Sequence, residues 1–191
     1  MPPISRSVSR KRTNSVAELK PLFTSDAIAE RLKTLAGDIA QAMPKDFAAV
    51  AILKGSFVFA ADLIRSLAAH AVNPEVDFMT LASYGTGTVS SGNVRLLRDV
   101  EIPVAGREVL LIDDILDSGR TVAYARRHMR EMGATAVKVC VLLDKTSGRT
   151  TGAEHADFVG FPCPPAFVVG YGMDHAHKFR GLPFIAVLSQ P

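Results

Sequence analysis

The chain has 191 residues, 48% of them apolar and 21% charged, with a formal net charge of +3. That is about one domain, long enough to bury a core, and no run of roughly 18 apolar residues is present to make a membrane span. The charge argues against a nucleic-acid-binding body: residues 1–20 hold five basic side chains against one acidic, while the remainder holds 17 basic against 18 acidic, whereas a nucleic-acid-binding fold carries its positive charge on the body.

Residues 1–22 read as a basic, Ser-rich, disordered extension. Such a tail shares the composition of some transit peptides but lacks the apolar core of a secretory signal. Cys140 and Cys163 have no metal-ligand spacing around them. They read as reduced thiols in or near the core of a cytoplasmic protein.

From Phe23 the pattern tightens. Ile28, Leu32, Leu35 and Ile39 recur at steps of 4, 3 and 4 and predict one helical face, ended at Met43-Pro44. "FAAVAIL", residues 47–53, is an all-apolar run suited to a strand covered on both sides. "KGS" follows, then a helical stretch to His70. "VDFMTLASY", residues 76–84, predicts a strand, "GTGTVSSGN" a mobile loop, and "VRLL" the return strand. "REVLLID" predicts a strand and "TVAYARRHMREMG" a helix ended by Gly133, with "AVKVCVLLD", residues 136–144, the next buried strand. Short strands are expected at "DFVGF", "FVVGY" and "FIAVLS".

Strands alternating with helices over residues 47–144 imply an α/β fold with a mostly parallel sheet. Ligands of such sheets bind beyond the carboxyl ends of the strands. "KGS", "SYG", "DDILDSGRT" and "DKTSG" all fall there, so four polar clusters are expected to face one crevice.

"VLLIDDILDSGRT", residues 109–121, carries the chemistry. "DSGRT" is a tight turn into a helix, and the free N–H groups and dipole of a helix start bind phosphate. Ser118 and Thr121 add hydroxyls, although either could instead cap the helix. Asp113 and Asp114 are adjacent carboxylates at a sheet edge; unless a local Arg or Lys pairs with one, they need sugar hydroxyls or a divalent cation. A phosphate turn beside two acids suits a ribose 5-phosphate. No GxxxxGK[ST] occurs, and "GTGTVS" has Ser90 where GxGxxG requires its last glycine.

This segment resembles the 5-phosphoribosyl 1-diphosphate (PRPP) signature of the type I phosphoribosyltransferases. "LKGS" at 53–56, "SYG" at 83–85, "LLDKTSGR" at 142–149 and "DFVGFPCPPAFVVGYGMDHAHKFRGLP" at 157–183 are similar to the 6-oxopurine subgroup, the hypoxanthine-guanine phosphoribosyltransferases. The resemblance covers residues 23–189 and implies one phosphoribosyltransferase domain over 23–191: a central, mostly parallel sheet flanked by helices, with a small hood.

The implied reaction converts PRPP and hypoxanthine or guanine, with Mg²⁺, into IMP or GMP and pyrophosphate. By this resemblance Ser118, Gly119, Arg120 and Thr121 hold the 5-phosphate, and Asp113 and Asp114 bind the ribose hydroxyls. Asp117 takes the proton from purine N7. Lys54 and Gly55 form a pyrophosphate loop, with a cis peptide expected between them, and Arg180 binds the pyrophosphate. Lys145 donates to the purine 6-oxo group, Phe167 stacks on the base, and the Val168 backbone meets its edge. Asp174 holds Mg²⁺. Ser83 and Tyr84 begin a mobile loop that closes over the site and excludes water. A homodimer or homotetramer is implied, with no membrane or nucleic-acid partner.

Two features depart from the usual pattern. The acid pair is Asp-Asp, where many relatives carry Glu-Asp, and the closing loop is Gly- and Ser-rich. A PRPP-sensing regulator that binds nucleic acid on the same fold is the competing reading; Asp117, Lys145, Phe167 and Asp174 together weigh against it, since a sensor needs no base-reading lysine. An enzyme for another base, such as xanthine or uracil, is a second rival. A metal pair at His175 and His177 is less economical than a loop acid for Mg²⁺. "ARRHMR", residues 125–130, reads as a solvated helix face.

Overall fold

Thr24 opens the first helix. Its Oγ1 accepts from Ala27 N at 3.2 Å, satisfying one of the free donors of a helix start. The computed structural model describes residues 19–83, 94–145 and 154–189. In chain order they form β1 (Leu19–Phe23), α1 (Ser25–Ala42), β2 (Ala48–Leu53), α2 (Phe57–Ala68), β3 (Glu75–Ser83), β4 (Val94–Arg98), β5 (Glu108–Leu116), α3 (Arg120–Glu131), β6 (Ala136–Asp144), β7 (Phe158–Pro162), β8 (Val168–Val169) and β9 (Ile185–Leu188).

Six strands make the main sheet in the order β4-β3-β2-β5-β6-β7. All neighbours are parallel except the β3–β4 pair. The sheet separates two cores. On one side α1 and α2 bury Ile28, Leu35, Ile39, Phe59 and Leu63 against Ala49, Ala51, Leu110 and Ile112. On the other, α3 buries Val122, Ala125 and Met129 against Ala48, Val50, Leu111 and Val139. The alternation along β2 and β5 is the period-two geometry of a strand covered on both faces. Truncating a fully buried aromatic such as Phe59 costs on the order of 3–5 kcal/mol.

A second sheet, β1-β9-β8, forms the hood. It takes in residues expected to belong to the extension: Leu19, Lys20 and Pro21, ahead of Phe23, pair with Leu188, Val187 and Ala186. Their partner strand is at the far end of the chain, so no local pattern marks them.

One further expectation is corrected. "ARRHMR" is not a uniformly solvated face: Arg126 is 8% exposed, with its guanidinium donating to Val137 O and His155 O and paired with Glu154. His128 Nε2 meets both Asp99 oxygens, at 2.8 and 2.9 Å. Both cysteines are free and buried. No helix among the described residues is long and apolar enough to cross a membrane.

Candidate active site

The crevice opens where β5 loses one neighbour. β5 pairs with β2 only as far as Ala51↔Ile112, but stays paired with β6 to Leu116↔Asp144. The strand therefore runs through both acids, three residues beyond the expected end at Asp113, because β6 still satisfies its backbone. On the other side β2 turns away through Lys54 and Gly55. The cis peptide lies between Leu53 and Lys54, one bond earlier than expected. Ser56, fully buried, secures the turn by donating from Oγ to Ile52 O at 2.5 Å.

The gap is a cavity of about 240 Å³ lined by Leu53, Lys54, Gly55, Asp113, Asp114 and the 117–119 turn, with Thr121. An adjoining cavity of about 370 Å³ shares Lys54, Gly55 and Asp114 and adds Asp174 and Arg180. A larger hollow of about 750 Å³ lies between α1, α2 and the hood loop. Its wall holds none of the strand-end acids, so the chemistry belongs to the smaller pair.

Asp113 and Asp114 differ in setting. Asp113 is 6% exposed and accepts from Asp114 N at 3.0 Å. Burial holds its carboxyl well above the ordinary carboxylate range, and the Asp114 charge adds to the effect. Asp114 is half-buried. Burial raises it as well, while its bond from Ile115 N and the charge of Arg180 work the other way. The pair faces the cavity poorly solvated and would gain from hydroxyl donors or a cation.

The turn at 117–119 leads straight into α3. Gly119 is the N-cap residue, with φ +78°, and no side chain caps the helix. The capping alternative for Ser118 and Thr121 is thereby set aside. Ser118 and Arg120 are exposed, and Thr121 is half-buried on the cavity wall. The first turn of α3 thus presents its N–H groups where an anion is well bound.

The remaining candidates converge from the other side. Lys145 Nζ stands 3.5 Å from Asp117 Oδ2, and Lys145 N is tied to Leu116 O at 2.9 Å. Asp174 pairs with Arg180 at 2.6 Å and accepts from His177 N at 2.8 Å. Arg180 also donates to Gly172 O at 2.6 Å. Phe167 is 41% exposed, with the ring of His175 edge-on at 5.4 Å. Val168 is buried and paired with Val187. Ser83 ends β3, while Tyr84 and the 85–93 loop lie outside the described residues. Among the described residues no cluster of three or more His, Cys, Asp or Glu is placed to hold a metal ion.

Residues 19–176 match the phosphoribosyl transferase domain family. The hypoxanthine-guanine phosphoribosyltransferase of Bacillus subtilis (strain 168) is 43% identical over 170 residues, covering 88% of this chain and 92% of that protein. The chain belongs to the hypoxanthine-guanine phosphoribosyltransferase family. Its counterpart from Streptococcus thermophilus (strain CNRZ 1066) is 40% identical over 176 residues, covering 90% of this chain and 93% of its own length. A crystal structure of a hypoxanthine-guanine phosphoribosyltransferase from Bacillus anthracis superposes with a TM-score of 0.83 at 40% identity, covering 90% of this chain and all of that one. The type I phosphoribosyltransferase fold holds as expected.

Some residues that shape the site gave no signal in the sequence. Asp62 and Tyr171 bond to each other over 109 positions. Glu154 packs beside Gly119 and pairs with Arg126. Asp62 and Glu154 have no local motif, and Tyr171 lies in the 157–183 segment without a role of its own there; each acts through a contact distant in sequence.

Proposed function

We propose that the chain is a cytoplasmic purine-salvage enzyme. It transfers the 5-phosphoribosyl group from PRPP to hypoxanthine or guanine, releasing IMP or GMP and pyrophosphate. The observation that carries this reading is the cavity that sets two buried-strand acids beside a helix start, with Lys145 against Asp117 on its rim. The names of the relatives support the choice of base.

The 5-phosphate sits on the Ser118–Thr121 turn, and Asp113 and Asp114 take the ribose hydroxyls. Lys145 donates to the purine 6-oxo group while Phe167 covers a face of the ring and the Val168 backbone meets its edge. Purine N9 bonds to ribose C1 as the bond from C1 to the pyrophosphate oxygen breaks, and Asp117 accepts the N7 proton. The carboxylates also stabilise positive charge that develops on the sugar. Lys54, Gly55 and Arg180 hold the pyrophosphate.

Mg²⁺ fits the donor set. Asp174 and Asp114 line the same cavity and are hard oxygen donors, of the kind that hold the ion with one or two carboxylates together with substrate oxygens. When bound, it would neutralise charge on the pyrophosphate. Assembly as a homodimer or homotetramer belongs to the same reading.

The test is a spectrophotometric assay with PRPP and Mg²⁺, offering hypoxanthine, guanine, xanthine, adenine and uracil in parallel. Turnover of hypoxanthine or guanine is expected. PRPP binding without turnover of any base would favour the regulator instead.

A further inference from the structure

Two chain segments must stand at a fixed distance if they are to share one pyrophosphate. One is Lys54–Gly55, at the start of α2. The other is the hood loop carrying Asp174 and Arg180. They belong to different sheets, and their meeting point is a backbone contact. A Cβ on Gly172 would lie 2.2 Å from Gly55 O, and Gly172 sits at φ +101°. No side chain fits there, so the contact has no side-chain grip of its own.

The grip is supplied next door. Tyr171 is 6% exposed and has φ +50°, a conformation costly for a residue with a bulky side chain. Its N–H is bonded to Leu182 O at 2.9 Å, and its hydroxyl donates to Asp62 Oδ2 in a short hydrogen bond. Asp62 lies on α2, the helix that begins at the Lys54–Gly55 turn. Arg65, one turn on, pairs with the same carboxylate. Each side of the clamp is thus anchored within a turn or two of the group it serves. Arg180 ties the far end of the loop back to Gly172 O at 2.6 Å, so a shift at Tyr171 is passed to Arg180 and Asp174 together.

We infer that the Tyr171–Asp62 hydrogen bond is a positioning clamp that sets the separation of the two halves of the pyrophosphate site. The inference rests on the PRPP-transferase reading above. Neither residue touches substrate; both act through Gly172, Arg180 and the Lys54–Gly55 turn. Burial and the Asp62 carboxylate keep the Tyr171 phenol protonated over the working range, so the hydroxyl is always available as a donor. The purine groups have anchors of their own, Lys145 N on Leu116 O and Phe167 O on Leu188 N, both at 2.9 Å, so the clamp does not set their position.

The experiment compares the full-length wild type with Tyr171→Phe, Asp62→Leu and Asp62→Asn, measuring kcat and both KM values. The Asn side chain still accepts from the phenol; Leu does not. The expected result is a rise of about five- to tenfold in PRPP KM for Tyr171→Phe and Asp62→Leu, with purine KM at saturating PRPP within twofold of wild type. Asp62→Asn recovers most of the PRPP affinity. The double variant Tyr171→Phe with Asp62→Leu raises the PRPP KM no further than Asp62→Leu alone, because the bond between the two residues is already gone. Equal loss in both KM values, or a lowered melting temperature with both KM values unchanged, would overturn the clamp in favour of a merely structural contact. Absence of turnover in the wild type itself would overturn the transferase reading and the inference with it, whereas an active wild type with unaltered PRPP KM in Tyr171→Phe overturns the inference alone.

Discussion

Lys145 Nζ stands 3.5 Å from Asp117 Oδ2, although the two residues come from the ends of different strands. β5 and β6 are neighbours paired to Leu116↔Asp144, so the residues just beyond each strand emerge side by side. One substrate can therefore touch both. Lys145→Ala is expected to raise the purine KM more than tenfold while leaving PRPP KM within about threefold, since a site built to hydrogen-bond loses heavily when its donor is removed. Asp117→Asn is expected to lower kcat by on the order of 10²-fold, the usual scale for a general base. Steady-state kinetics on both variants checks this. An unchanged purine KM in Lys145→Ala, or PRPP affinity lost in step with rate in Asp117→Asn, would contradict the roles given to them.

Gly55 admits no side chain. A Cβ placed there would stand 1.7 Å from Asp114 Oδ2 and 2.5 Å from its carboxyl carbon. Either the Lys54–Gly55 turn or the carboxylate has to move. Both belong to the proposed PRPP site, so Gly55→Ala is expected to raise PRPP KM at least tenfold. The turn is at the cavity rather than in the core, so circular dichroism and the melting temperature should change little. Normal PRPP kinetics in this variant would show that Asp114 can swing aside without loss.

The Asp113–Asp114 pair should make the ligand-free fold pay for its function at neutral pH. The folded value of Asp113 is raised, by burial and then by Asp114. The unfolded chain therefore loses this proton first as pH rises above about 3.8, the ordinary value, and stability falls from there up to the raised folded value. Asp113→Asn removes the charge but keeps an oxygen to accept from Asp114 N. At pH 8 it should raise the melting temperature by ~2–4 °C, the scale of about 1 kcal/mol in a chain of this size, and the gain should vanish near pH 4. PRPP binding should weaken in the same variant. A melting temperature that drops at pH 8 would mean that the pair is held by compensating contacts.

Legibility in the sequence followed how local each feature is. β6 was readable to its ends, Ala136 and Asp144, because a continuous apolar run bounded by polar residues has few other solutions. The 109–121 segment was readable because its acids, turn and helix start are contiguous. β5 was read too short, since two acids look like a strand end unless the pairing with β6 is known. Leu19–Leu22 were assigned to the tail because their partner β9 lies more than 160 residues away. Lys145, Asp174 and Arg180 came only from the family resemblance. As isolated residues they look like surface charges, and the fold alone gathers them. Arg126 was read as solvated because three basic neighbours mask it, and its acceptors, Val137 O and His155 O, are distant in sequence.

Asp77 shows a stabilising role for a buried acid that no motif announces. It lies on β3, is 8% exposed, and accepts from Glu101 N at 2.5 Å, Ile102 N at 3.0 Å and Phe78 N at 2.7 Å. Burial by itself would raise its carboxyl. The three backbone bonds, helped by the charge of Arg98, outweigh that, and the net shift is downward. A lowered folded value stabilises at pH above the ordinary 3.8 and loses that stabilisation as pH falls through the folded value. Asp77→Asn keeps one oxygen and replaces the other with a donor facing an N–H. At pH 7 it should cost about 2 kcal/mol, or ~4–8 °C in melting temperature. The deficit should shrink as pH falls below the ordinary 3.8 toward the lowered folded value, where the wild-type carboxyl takes up its proton and loses the same acceptor. Because Asp77 is near the start of β3, away from the strand end that faces the crevice, kcat at 25 °C should stay within twofold. Thermal melts from pH 3 to pH 8 settle it: a deficit that persists undiminished at pH 3 would show that the side chain acts through packing rather than through its charge.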